Sequence, residues 1–278
     1  MTTITVREDR VQDAVRELQI RVWDRADDPR FRLTIYEPLR DGWKVGSVGG
    51  LQFLDYVGAY AGLGPQHSVL EFGSGMGDAC AYLASHFGCH VTGIEIGTQQ
   101  IERARERHPD SKSRGFDFVQ ADLLNWEPPQ HYDAIYFLEM LPIINDCHTL
   151  LERMQSWLRP NGVIAMSDIV AGPGLSDEER EFLWVEDGVV HNLPLQEERL
   201  EMLEAVGFEN LDVTDITDAG IFQNERILEE SYRHKTAIVD GVGIDSWLNW
   251  VECARVYGRL FVERKLVCLR IGARKGRY

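Results

Sequence analysis

Basic residues are in short supply in this chain: 29 Lys and Arg stand against 45 Asp and Glu, a formal net charge of −16 over 278 residues. That balance repels a phosphate backbone and argues against DNA or RNA as substrate or partner. Cysteine is sparse too. The five residues Cys80, Cys89, Cys147, Cys253 and Cys268 are odd in number, scattered and free of any C-x-x-C pair. They suggest neither a disulfide framework nor a zinc knuckle, and read as reduced packing residues. No run of about 18 apolar residues occurs, and the opening MTTITVREDR lacks the basic and apolar segments of a signal peptide. A soluble, cytoplasmic protein without membrane insertion is the expectation. Repeats, low-complexity tracts and flexible linkers are missing as well, and no histidine and carboxylate cluster has metal-ligand spacing, so no metal is assigned. At 44% hydrophobic content the chain can still bury a full core.

What is present is concentrated in ten residues. VLEFGSGMGD, from Val69 to Asp78, is an apolar run ending in a carboxylate and followed by Gly73, Gly75 and Gly77. It reads as a strand entering a tight glycine turn that opens a helix, because glycine alone accepts positive φ cheaply and lets a ligand lie against bare backbone. The spacing disfavours a dinucleotide. In G-x-G-x-x-G counted from Gly73 the third glycine position falls on Asp78, and the last glycine comes one residue early.

Glu71-Phe72-Gly73-Ser74-Gly75-Met76-Gly77 resembles motif I, E/D-x-G-x-G-x-G, of the class I S-adenosylmethionine (SAM)-dependent methyltransferases. That resemblance implies that the turn cradles the methionine part of SAM. Three further pieces fall in the order it requires. HVTGIEI ends a second short strand at Glu95, about 20 residues beyond the glycines, where an acidic side chain can accept both ribose hydroxyls. Ile96 and Gln100 follow as further cofactor-side residues. DFVQADLL gives a third strand, after which the resemblance places Asp122 beside the adenine amino group and Leu123 beneath the ring. YDAIYFLEML gives a fourth strand at 132 to 137, with Leu138, Glu139 and Met140 lining the cleft at its carboxyl end. Pro128-Pro129 precedes this strand, whereas the N/D-P-P-Y/F motif of amino-methylating nucleic-acid enzymes follows it.

The implied architecture is α/β: a doubly wound, mostly parallel seven-stranded sheet of the Rossmann-like methyltransferase kind. An amphipathic helix at 8 to 25 and a second helix, LQFLDYVGAYAGL, form an N-terminal helical lid over residues 1 to 64. The SAM-binding core is expected over 65 to 278, with helices at 78 to 87, 97 to 107 and 145 to 157 and a fifth strand at 163 to 170. That strand is introduced by Leu158-Arg159-Pro160-Asn161-Gly162, similar to the L-R/K-P-G-G turn of the superfamily. A lid insert is expected at about 172 to 206, its first helix opened by a Ser176 and Glu179 capping box. A helix stopped at Gly207, a sixth strand, two helices at about 220 to 237 and 243 to 258, and the closing strand LVCLRIGARKG complete the reading. The helix-G-F-strand passage resembles small-molecule methyltransferases related to sterol, glycine/sarcosine and sugar O-methyltransferases.

The resemblance implies methyl transfer from SAM to a small-molecule metabolite. Sugar and amine methyltransferases of this kind often carry histidines just after the fourth strand, and Leu138-Glu139-Met140-Leu141-Pro142-Ile143 has none. Glu139 or Asp168 then serves as base, or the acceptor is an alkene carbon that needs no strong base until late. Each carboxylate also has a bland reading, Glu139 as a cofactor-side hydrogen-bond partner and Asp168 as a cap. Tyr36, Trp43, Trp184 and His191 are the expected substrate-facing residues, the aromatics able to face developing positive charge. Nitrogen, oxygen and carbon acceptors stay open, as do a homo-oligomer and, as an alternative of another class, a SAM-binding sensor or partner subunit without catalysis.

Overall fold

The computed structural model describes residues 50–144, 146–187, 193–233 and 235–276. Helix α1 (Gly50–Ala61) is followed by β1 (Ser68–Phe72), α2 (Asp78–Phe87), β2 (His90–Glu95), α3 (Thr98–Arg107) and β3 (Phe116–Gln120). Then come β4 (Tyr132–Leu138), a 3-10 turn at Leu141–Ile143, α4 (Cys147–Trp157), β5 (Leu158–Ala171), α5 (Asp177–Asp187) and α6 (Gln196–Ala205). β6 (Phe208–Asp215), α7 (Thr217–Arg233), α8 (Lys235–Val242), α9 (Ile244–Val262) and β7 (Leu266–Lys275) complete it. The seven strands form one sheet in the order β3-β2-β1-β4-β5-β7-β6. β1 to β5 pair in parallel, while β7 runs antiparallel between β5 and β6. The expected α/β, mostly parallel seven-stranded architecture is the one observed.

Alternation of side chains explains how both faces are covered. In β1, Leu70 and Phe72 join a core with Leu150, Leu151, Met154 and Trp157 of α4 and Leu203 of α6. Val69, between them in period, joins a second core with Leu54 and Val57 of α1, Leu83 of α2 and Ile101 of α3. α1 therefore packs on the sheet itself, although it precedes the expected boundary at 64 and 65. α6, at the end of the expected insert, is a sheet-packing crossover helix through Leu203 and Val206.

The Ser176 and Glu179 capping box is present: Glu179 N–H donates to Ser176 Oγ at 3.2 Å and Ser176 N–H to Glu179 Oε2 at 3.0 Å. Two expectations need correction. β5 begins at Leu158, not 163, because Leu158 already pairs with Tyr132; residues 159 to 162 then bulge, with Asn161 at φ 63°, before pairing resumes at Val163. Among the described residues three helices follow β6 where two were expected: the start of α9 after Gly243, at φ 89°, falls where expected, while the stretch expected as one helix over about 220 to 237 is divided between α7 and α8. The lead helix at 8 to 25 lies outside the described residues.

Candidate functional site

The strand order reverses direction between β1 and β4, and the carboxyl ends of β1, β2, β3 and β4 meet there, where ligands of open α/β sheets bind. Gly73, Gly75 and Gly77 all adopt left-handed backbone, at φ 69°, 50° and 79°. Each has a reason. A Cβ on Gly73 would come within 2.9 Å of Met140 Sδ, so the thioether after β4 packs on bare backbone, and a Cβ on Gly77 would collide with the Phe118 ring of β3. The turn is stapled to its neighbour by Ser74 N–H donating to Ile94 O at 3.0 Å, and closed by Gly77 N–H donating to Ser74 O at 2.8 Å. Ser74 is buried, its Oγ without a hydrogen-bond partner, and Gly93 on β2 leaves room for its side chain and for Cys80. Met76 is half-buried.

Glu95 faces this turn. Its Oε2 accepts from Gly75 N–H at 3.0 Å, and its Oε1 accepts from Ile96 N–H at 2.8 Å and Gly97 N–H at 3.0 Å. The end of β2 and the glycine turn are thereby joined through one carboxylate. Gln100 is buried in the first turn of α3 and Ile96 is half-buried. Asp122 lies beyond β3, half-buried, holding its own loop by accepting from Leu124 N–H at 3.2 Å and from the Asn125 side chain; Leu123 is buried in the core beside Ile94. Leu138 packs at the edge of the α1–α3 core.

Glu71 stands elsewhere. The period of β1 puts it on the face covered by α2, where it is 3% exposed and Cys80 Sγ donates to its Oε2 at 2.7 Å. Burial pushes its carboxyl up to about 7, against the opposing hydrogen bond from Cys80, with Tyr136 and Glu95 also acting on it. Glu71 thus lies beneath the cradle instead of lining it.

The two expected bases also separate. Glu139 ends β4 half-buried, in left-handed backbone at φ 54°, with its N–H donating to Ser167 O on β5 at 2.8 Å. Such a conformation is costly for a residue with a Cβ and is held there by the paired strands. Asp168 is 1% exposed and its Oδ2 lies 2.7 Å from Nε of Arg199, itself fully buried on α6. Burial raises its carboxyl to about 6 although Arg199 opposes the shift. A carboxylate committed to a buried guanidinium is a structural tie, so the geometry leaves Glu139 as the base candidate. Tyr36, Trp43 and His191 lie outside the described residues; Trp184 falls within α5, with its side chain outside them.

Three contributors escaped the sequence reading. Cys80 and Tyr136, which surround Glu71, carry no local signal, since the contact joins a helix and two strands. Arg199 does carry one: it shares the i, i+4, i+7 stripe with Leu203 and Val206, so its position is apolar by period. A further charged group braces the cradle. Asp78, the first residue of α2, lies 2.8 Å from Arg107 Nε and 3.3 Å from His108 Nε2, which with Arg107 hold its carboxyl below the usual range despite burial. Among the described residues no group of three or more His, Cys, Asp or Glu side chains is placed to hold a metal ion.

A left-handed glycine turn joined to a β2 carboxylate at the switch point of this sheet is the arrangement that resemblance to the class I SAM-dependent methyltransferases implies, and the sheet is of the Rossmann-like methyltransferase kind. The residues present fit SAM, because three alternate glycines in left-handed backbone leave the main chain bare and the Glu95 carboxylate stands beside that turn. A family described as "Methyltransferase domain" matches residues 69–162, the segment from β1 into the β5 bulge. Phosphoethanolamine N-methyltransferase 1 of Zea mays is 29% identical over 190 residues, covering 68% of this chain but 37% of the relative, so the chain spans less than half of that protein. Among solved structures, Haemonchus contortus phosphoethanolamine N-methyltransferase 2, in complex with phosphomonomethylethanolamine and S-adenosylhomocysteine (SAH), superposes with a TM-score of 0.73. Identity there is 20%, over 83% of this chain and 54% of that one. A putative sarcosine dimethylglycine methyltransferase from Galdieria sulphuraria superposes with a TM-score of 0.76 at 16% identity, over 96% and 99% of the two chains.

Proposed function

We propose that this protein transfers the methyl group of SAM to the nitrogen of a small amine and releases SAH. The observation that carries the SAM reading is Glu95, whose carboxylate joins the end of β2 to the glycine turn through Gly75 N–H at 3.0 Å; with SAM bound it would accept from the ribose diol. Support for nitrogen as acceptor comes from the phosphoethanolamine and sarcosine methyltransferases among the relatives, which stand beside O-methyltransferases, and from an acidic molecule whose formal charge of −16 draws cations in.

When bound, SAM supplies a methyl group already activated on a sulfonium. The chain's own work is positioning and the exclusion of water. Gly73, Ser74, Gly75, Met76 and Gly77 would lie along the aminoacyl part, Glu95 with Ile96 and Gln100 on the ribose side, and Asp122, Leu123 and Leu138 around the adenine. Glu139, aimed from the end of β4 by its constrained backbone, would take the proton from an ammonium acceptor. Tyr36, Trp43, Trp184 and His191 remain the candidates for recognising the acceptor.

A cytoplasmic location belongs to the same proposal; the odd, scattered cysteines without a C-x-x-C pair support it. No described helix is long and apolar enough to cross a membrane.

The test is SAH release measured over a panel of phosphorylated and unphosphorylated small amines, with hydroxyl and alkene compounds beside them. Turnover of an amine, reduced about a hundredfold or more in Glu139→Gln with SAM affinity kept, is expected. SAH formed only from hydroxyl or alkene acceptors overturns the nitrogen assignment, and none from any acceptor overturns transfer itself.

A further inference from the structure

Glu71 occupies an unusual position for a carboxyl group. It lies on the second residue before Gly73, beneath the turn, closed off from solvent between β1, β4 and α2. Each element packed against it contributes one titratable group: the Cys80 thiol from α2, donating at 2.7 Å, the Tyr136 phenol from β4, and the Glu95 carboxylate from β2. None of the three carries positive charge. Thiol and phenol are themselves held well above their ordinary values by burial and by Glu71, so neither loses its proton near neutrality. A carboxylate in such surroundings has two weak donors and a repelling neighbour.

We propose that Glu71 makes the cradle charge-selective: its carboxyl releases a proton to solvent when a cationic sulfonium occupies the turn above it, and keeps that proton when the uncharged thioether product does. The inference rests on the SAM reading of the site. SAM and SAH share their adenosine and aminoacyl groups, and differ by one methyl group and one positive charge. Direct contacts to the shared groups therefore favour neither, whereas a buried group that ionises on demand favours the cation. Product would be bound less tightly than substrate, and more so as pH rises.

The linkage has a definite sign. The free protein holds the Glu71 proton up to about pH 7, where burial has moved its titration. Below that point binding the cation must expel the proton, and each pH unit of descent weakens SAM about tenfold. SAH, which leaves the proton in place, stays level.

Isothermal titration of the whole chain with SAM and with SAH, in two buffers of different ionisation enthalpy, reads this directly. At about pH 6 SAM should release most of one proton and SAH close to none, and the SAM-to-SAH affinity ratio should rise about tenfold between about pH 6 and pH 8. Glu71→Gln should bind SAM with an affinity that no longer changes between about pH 6 and pH 8, and leave SAH unchanged. Cys80→Ala removes the bond that holds the carboxyl down, so its proton-release profile should move to higher pH. Equal proton release by both compounds, or release surviving in Glu71→Gln, overturns the inference. No heat from either compound at any pH overturns the SAM reading beneath it instead.

Discussion

At the scale of single residues, the most consequential feature is a carboxyl group buried beside another acid. Glu71 titrates near 7 in the folded protein against an ordinary 4.5, so the fold binds its proton more tightly than the unfolded chain does. Its contribution to stability is complete below about pH 4.5 and is lost as pH rises through about 7, a span worth roughly 3 kcal/mol. Thermal unfolding followed from about pH 5 to pH 8 should show that decline, and Glu71→Gln should flatten it; an identical slope in the variant would acquit Glu71. Gly77→Ala meets both a left-handed φ and the Phe118 ring, so a loss of about 2 to 4 kcal/mol in chemical denaturation is expected. Glu95→Ala should weaken SAM binding by a factor of about 100, read by titration, because a carboxylate pairing with hydroxyls makes charge-assisted bonds. The glycine turn and Glu95 were legible in the sequence because their chemistry is local: a run of apolar residues, three small ones, and an acid one strand later. Glu71 stands apart from the bare turn for a reason the sequence also held. Val69 and Glu71 share one side of β1, so an acid two residues from a core valine faces the core, not the cleft.

The relation between elements turns on the tie between β5 and α6. Asp168 and Arg199 are both without solvent exposure, 2.7 Å apart, and removing one leaves the other charge buried and alone. Arg199→Met should cost about 3 to 5 kcal/mol, whereas Arg199→Met combined with Asp168→Leu should recover most of that loss. Urea denaturation of the two variants decides the matter, since a double variant no more stable than the single one would show that the pair supplies net stability. Elements of the parallel core were readable from hydrophobic period and turn residues within a residue or two, as Asp78–Phe87 illustrates. The stretch from 217 to 262 was harder. The start of α9 after Gly243 was legible, but continuous helical propensity masks the division between α7 and α8, which the spacing of apolar residues does not reveal. Asp168 reads from the sequence as one of two alternative bases or as a cap, and its partner comes from a helix 31 positions along the chain. No reading of local pattern supplies that distance.

For the molecule as a whole, charge is the dominant property. With a formal −16, repulsion among surface carboxylates opposes compaction, and salt screens it. Raising ionic strength from about 0.01 M to 0.15 M shortens the screening length from about 30 to about 8 Å. The melting temperature should rise by a few degrees, and a fall would mean that the ion pairs outweigh the repulsion. Arrangement of the sheet has a different consequence. β7 lies between β5 and β6, yet it is made last of the three, and its Arg270 and Arg274 stack on Tyr56 and Tyr60 of α1. A ribosome therefore delivers β6 before the neighbour it must hydrogen-bond to exists. Until the ten residues of β7 are made, β6 is an unpaired strand and α1 lacks its arginine clasp, and their arrival acts as the key that locks one edge of the sheet to the helix before β1.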